Sequence, residues 1–335
     1  MVAAGPTDVW VAMRTGRGWS DPQPGPDESW AMPPEHDVML HWDGHRWRRV
    51  PLPQLHDPVT NLAARTPDDV WGVTESDGLI RWNGRHWRMH PVEGRRHGPE
   101  LGRVAALARE NAWLAAAGFT NRGSHALIEH WEGQRWTRVS APTVSGERTK
   151  LTAIAAAGRN DVWAFGAYAI EHGDSHLIAK SGVVTEHWDG QRWSIVPERV
   201  YRQTKHGFEI HDAVMLSPTD GWAVGHQSAP FRPLIMHWNG TQWTTHLARG
   251  CCVLSALAAR DPNDIWAAGY TSSDNRYQAR VEHWNGHQWQ TIATPVGGST
   301  FLTSVSTLPG GEILVAGTTT DSNDTAYPVL MRFIG

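Results

Sequence analysis

The chain has 335 residues, with 30 Lys and Arg against 34 Asp and Glu, a formal net charge of −4 and no block of like charge. That balance excludes the basic surface a nucleic acid requires. An apolar fraction of 40% supplies a core, yet no run of about 18 apolar residues exists that would span a membrane.

The first element is Asp8-Val9-Trp10, the opening copy of a signature DVW-A-x-G. It returns at Asp69-Val70-Trp71, Asn111-Ala112-Trp113, Asp161-Val162-Trp163, Asp220-Gly221-Trp222, Asp264-Ile265-Trp266 and, degenerate, at Glu312-Ile313-Leu314. After Trp10 comes an excursion rich in proline that holds Trp19, Trp30 and His36. Trp42 then opens a second signature, HW-[DNE]-G-x-x-W, closed by Trp47. Its further copies are Trp82/Trp87, Trp131/Trp136, Trp188/Trp193, Trp238/Trp243 and Trp284/Trp289, and a seventh breaks off at Phe333. Of the 20 tryptophans, only Trp19 and Trp30 stand off this grid.

An Asp-Gly or Asn-Gly pair between extended runs signals a hairpin, because a type I′ turn needs positive φ at both central residues. With Asp43-Gly44 as a two-residue loop, Trp42 is predicted opposite His45, His41 opposite Arg46 and Leu40 opposite Trp47. Alternation puts Leu40, Trp42 and Trp47 on one face. Nine positions ahead of each DVW tryptophan stands an apolar residue, Leu62, Val104, Ile154, Ala213, Leu257 or Val305, within an alternating run. Each period therefore holds four short strands: inner (a), DVW (b), HW (c) and outer (d). Four-stranded units recurring near every 48 residues, with no helical periodicity, describe an all-β, seven-bladed β-propeller over 1–335. Its blades fall at 1–50, 51–90, 91–139, 140–197, 198–247, 248–293 and 294–335. The last blade is expected to be three-stranded or incompletely closed. Met1 falls midway along an inner strand, so the natural product is expected to start upstream. The chain as given carries no signal peptide. The compartment stays open: secreted or cell-surface if the N-terminus is truncated, otherwise cytoplasmic.

These repeats resemble the Trp-rich bacterial β-propeller repeats labelled kelch-like or galactose-oxidase-like, in which DVWAVG and EHWDGxxW recur. The resemblance spans nearly the whole chain and implies the fold, leaving activity open. The chain lacks the Gly-Gly pair in each blade that marks kelch repeats, and nothing of galactose oxidase's copper chemistry carries over.

Tryptophans at fixed spacing read as packing between blades. His41, His130, His187, His237 and His283 share one repeat position. They are expected to hydrogen-bond the DVW acid of the same or the adjacent blade. Function should sit where the repeat is broken. From DVW tryptophan to HW tryptophan the spacings are 32, 11, 18, 25, 16 and 18, and 19 from Leu314 to Phe333. The b–c and d–a loops emerge on one rim, so that face is variable while the other is uniform, and variable loops on a rigid frame carry binding.

On the variable face stand Trp19 and Trp30 as stacking surfaces, with His36 and His176. Positions ten and eleven ahead of the DVW tryptophan face the axis and are mostly small. Asn61, Arg103, His211 and Asp212 are the exceptions, and charges there are costly without a partner or ligand. An Arg103–Asp212 pair reads equally as a structural link or as a ligand anchor. His172, Asp174 and His176 form a weak metal candidate; otherwise no metal or cofactor is expected. Cys251-Cys252 cannot build a disulfide framework and reads as buried.

No G-x-S-x-G, H-E-x-x-H or phosphate-cradling glycine loop is present. The leading expectation is a monomeric binding module for a glycan, a peptide or a small polar aromatic. The alternative is an enzyme, a hydrolase, lyase or natural-product cyclase, using His211, Asp212 and Arg103 for acid–base chemistry. A pure scaffold is the third reading.

Overall fold

A computed structural model of the chain describes residues 1–5, 7–15, 36–75, 78–92, 100–120, 123–142, 148–171, 178–196, 207–228, 231–247, 252–273, 276–308, 310–321 and 326–334. They form seven antiparallel sheets, each a simple meander in chain order. Blade 1 holds β1 (Val2–Gly5), β2 (Asp8–Thr15), β3 (His36–Trp42) and β4 (Trp47–Val50). Blade 2 holds β5 (Val59–Thr66), β6 (Asp69–Thr74), β7 (Leu79–Trp82) and β8 (Trp87–His90). Blade 3 holds β9 (Glu100–Ala108), β10 (Asn111–Thr120), β11 (Gly123–Trp131) and β12 (Trp136–Val139). Blade 4 holds β13 (Arg148–Gly158), β14 (Asp161–Glu171), β15 (Ile178–Trp188) and β16 (Trp193–Ile195). Blade 5 holds β17 (Phe208–Ser217), β18 (Asp220–Gln227), β19 (Arg232–Trp238) and β20 (Trp243–Leu247). Blade 6 holds β21 (Cys252–Asp261), β22 (Asp264–Ser273), β23 (Arg276–Trp284) and β24 (Trp289–Ile292). Blade 7 has three strands, β25 (Ser299–Thr307), β26 (Glu312–Thr320) and β27 (Ala326–Ile334). The molecule is an all-β seven-bladed propeller, with no helix among the described residues.

The outer hairpin departs from the two-residue turn. Trp42 pairs with Trp47 and His41 with Arg48, and Trp188 likewise pairs with Trp193. The loop is four residues long in all six complete copies, and in five of them its first side chain caps it. Asp189 Oδ1 accepts the amides of Gln191 and Arg192 at 2.8 and 2.9 Å, and Gly190 takes φ 93°. Asp43, Asn83, Asn239 and Asn285 cap their loops in the same way. The register therefore moves by two residues, which changes partners and preserves faces.

Those faces build the core. Trp10 sits 5.0 and 5.3 Å from Trp82 and Trp87 of the next blade. Trp71, Trp113, Trp163 and Trp222 each meet the tryptophan pair of the following blade in the same manner. Burying one indole is worth about 4–6 kcal/mol as an upper bound. In five blades the DVW tryptophan also stacks on the strand-c histidine of its own blade, at 4.0 Å for Trp10 on His41. That histidine bonds the acid of its own DVW motif, as in His187–Asp161 at 2.8 Å and His283–Asp264 at 2.8 Å. In blade 3 the partner is Asn111, 2.9 Å from His130. Blade 2 substitutes Arg81, which donates to Asp69 and lies 4.8 Å over Trp71.

Between blades 7 and 1 the device changes. Leu314 takes the tryptophan's place and packs with Val9, Val11 and Trp42. Ser306 Oγ accepts the Ala3 amide at 3.0 Å.

The inner strands carry a feature that alternation did not reveal. Toward the variable rim the pairing of β5, β13, β17, β21 and β25 skips Thr60, Thr152, His211, Ser255 and Thr303 respectively, apart from a second irregularity at the a–b end of the first four. In β9 the pair Gly102-Arg103 stands opposite Ala115 alone. These are β-bulges, which bend a strand and re-aim a side chain. Six blades carry one at the same height beside the axis.

Candidate functional site

The bulges bring the charged exceptions of the inner strands together. Arg103 reaches across from blade 3: Nε donates to the His211 carbonyl at 2.7 Å, and Nη2 donates to the Ser255 carbonyl at 3.2 Å. Its Nε also lies 3.3 Å from Asp212 Oδ1. Asp212 accepts the Ala213 amide on Oδ1 and the Leu257 amide on Oδ2, each at 2.9 Å. Burial raises its pKa, opposed by Arg103 and those amides. Arg103 and Asp212 thus tie blades 3, 5 and 6 across the axis.

His211 points the other way. Its Nε2 stands 2.9 Å from Nδ1 of His226, the rings nearly parallel at 12°. Burial first, then His226 and Arg103, lower its pKa to about 4, so it is neutral at physiological pH. Burial lowers His226 as well, with Glu209 opposing. Phe231 stacks on the outer face of His226 at 5.2 Å.

Over these residues opens a groove of about 710 Å³ on the variable rim, between the b–c and d–a ends of blades 2 to 5. Asn61, Gly102, Arg103, Thr152 and His211 form its floor, and Phe119 and Tyr168 its aromatic walls. Charge comes from Glu100, Arg148, Lys150 and Glu209. Lys150 Nζ lies 2.5 Å from Glu100 and 5.5 Å from the Phe119 ring. Phe119 is 43% exposed, a large apolar side chain held against solvent beside fixed charges.

Asn61, Arg103 and His211 therefore line one cavity, with Asp212 beneath, holding Arg103. His36 opens β3, and its side chain, like Trp19, Trp30, His172, Asp174 and His176, lies outside the described residues. So does Cys251, while Cys252 is buried. Phe119, Arg148, Lys150, Glu209 and His226 were not picked out from the sequence. The available signal was polar residues beside the b-strand glycine: His226 follows Gly225, and Glu209 pairs with it across the ladder.

A second cavity, of about 620 Å³, lies between blades 2 and 3 on the uniform side, lined by Arg65, Arg81, Arg85, Arg88 and Arg109 with Asp68 and Asp69. Asp69 engages Arg65 and Arg81 directly.

The chain matches no protein-family model and no curated protein. Solved structures share its fold. The structure of YCF48 bound to D1 peptide is 16% identical, covers 89% of this chain and 85% of that one, and superposes with a TM-score of 0.55. A PL25 ulvan lyase is 9% identical over 99% and 90% of the two chains, with a TM-score of 0.60. The GH74 xyloglucanase from Xanthomonas campestris is 15% identical over 97% of this chain and 57% of its own, with a TM-score of 0.52. At these identities the likeness is one of propeller architecture.

Proposed function

We propose that the protein is a binding propeller that holds an extended polar ligand, a peptide or a glycan, in the groove over blades 2 to 5. The observation that carries this reading is the groove's lining. Phe119 and Tyr168 offer stacking faces, and Lys150, Arg148 and Glu100 offer charge around a floor of fixed backbone and Arg103. Concave sites with apolar walls and a few placed polar groups are the usual form of ligand pockets. The fold hosts both uses: YCF48 carries a peptide, and the lyase and xyloglucanase act on glycans.

Asp212 has both carboxylate oxygens engaged, and His211 is neutral with Nε2 committed to His226. That arrangement serves anchoring better than proton transfer and puts acid–base catalysis by His211, Asp212 and Arg103 second. The repeats resemble those of kelch-like propellers, and a binding role for the variable face is the finer reading. The test screens the purified chain against peptide and oligosaccharide panels and measures the strongest hit by calorimetry. Combined Phe119→Ala and Lys150→Ala replacement should weaken it by about tenfold or more, since each contact is worth on the order of 1 kcal/mol. Unchanged affinity in that folded variant would move the site elsewhere.

A further inference from the structure

We propose that Glu209, His211 and His226 form a binding site for a divalent transition-metal ion, zinc in the first instance, on the blade 5 wall of the groove. The backbone converges the three donors. Glu209 and His226 are direct partners across β17 and β18, so their side chains leave the same face. His211 is the bulged residue two positions on, and the bulge turns it back toward that pair.

One ligand atom from each residue lies within 4.8 Å of the other two. The two imidazole nitrogens stand 2.9 Å apart with a single proton between them. Zinc–nitrogen bonds of about 2.0–2.1 Å in a tetrahedron put ligand atoms about 3.3 Å apart. An ion in place of that proton therefore parts the two rings by only a few tenths of an ångström. Glu209 is exposed, so its carboxylate swings in to close the third edge. Among the described residues no other trio of His, Cys, Asp or Glu donors converges in this way.

The chemistry of the set selects the ion. Imidazole nitrogens suit zinc, copper, iron and nickel, whereas calcium and magnesium take oxygen. Three protein ligands leave a tetrahedral position vacant, and Glu209 and His211 line the groove, so that position faces the cavity. Phe231 shields the far side of the His226 ring. The site uses side chains of blade 5 alone, so metal uptake and ligand capture by Phe119 and Lys150 stand or fall separately.

The test uses the full chain without an affinity tag, stripped by chelator and titrated with Zn²⁺ by calorimetry and with Co²⁺ by visible absorption. One equivalent per chain is expected, with tetrahedral cobalt bands. Glu209→Gln should weaken uptake by roughly tenfold or more, since even partners outside the ligand shell are worth about 10–100-fold. His211→Asn should abolish it. Zinc should raise the Tm of the parent and leave that of His211→Asn unmoved. The exposed Glu209→Gln change keeps the test independent of any folding defect in the histidine variant. Absence of stoichiometric uptake by the parent would overturn the site. So would uptake insensitive to both replacements, or uptake lost only when His172 and His176 are replaced.

Discussion

A methyl group on Gly166 would lie 1.8 Å from the Lys150 carbonyl oxygen, and on Gly225 1.9 Å from that of Glu209. Each is the glycine of a DVW-A-x-G signature, pressed against the backbone just before the bulge. The motif was plain in the sequence, but its reason lies in a neighbouring strand. Gly225→Ala should cost at least about 2 kcal/mol by overpacking. Gly158, with nothing within 4 Å, should tolerate Ala with a change under about 1 kcal/mol. Urea denaturation of the two variants checks the contrast. Glu186 is a second case. It is fully buried, finds no hydrogen-bond partner among the described residues, and burial raises its pKa to about 8. An acid raised in the fold is stable while protonated in both states. Its contribution is complete below about pH 4.5, the unfolded value, and is lost as pH rises through about 8. Glu186→Gln should therefore raise Tm at pH 8, with the gain vanishing near pH 4.5. Equal gains at both pH values would refute this.

Among the elements, the outer hairpins were legible as hairpins but not in register. Asp-Gly reads as a two-residue turn when only backbone φ is considered. The chain instead closes a four-residue loop, which five of the six copies brace with a capping carboxylate or amide. Blade 3 closes the same loop without the brace, because it starts with Glu132, whose longer side chain lies 3.8 Å from His130 Nδ1 and makes no such cap. Glu132→Asn should copy the cap of Asn239 and add about 0.5–1 kcal/mol, measured as a shift in denaturation midpoint. The inner strands show the opposite limit. Positions ten and eleven ahead of each tryptophan were both read as facing the axis. The bulge separates them: Thr152 bonds the Ile210 carbonyl of the next blade, while Ala153 is fully buried. An irregularity of one residue leaves no mark on a short alternating run. Asn61, Arg103 and His211 could thus be named from composition, whereas Glu209 and His226 required the cross-strand register.

The whole ring was foreseeable because six of its seven joints repeat one device, a DVW tryptophan set against an aromatic of the next blade. At the joint of blades 7 and 1 that tryptophan is Leu314, and Trp47 is left 38% exposed. This joint buries least and should open first, since local stability follows buried apolar packing. Hydrogen exchange should show β25, β26, β27 and β1 losing protection ahead of blades 3 to 5. Leu314→Trp should add on the order of 1 kcal/mol and raise Tm by about 2–4 °C. Uniform exchange around the ring would contradict that ordering.

The extra residue in six inner strands separates two tasks within each module. The indoles and their histidine props answer to neighbours on both sides, so altering one disturbs two wedges at once. The inserted position carries no packing of that kind and engages its surroundings through single polar contacts, such as Thr152 to the Ile210 carbonyl and His211 to His226. In five of the six strands Thr60, Thr152, His211, Ser255 and Thr303 occupy it, from hydroxyl to imidazole, on unchanged scaffolding. A lineage built this way can rewrite the central lumen codon by codon while the masonry around it stays fixed.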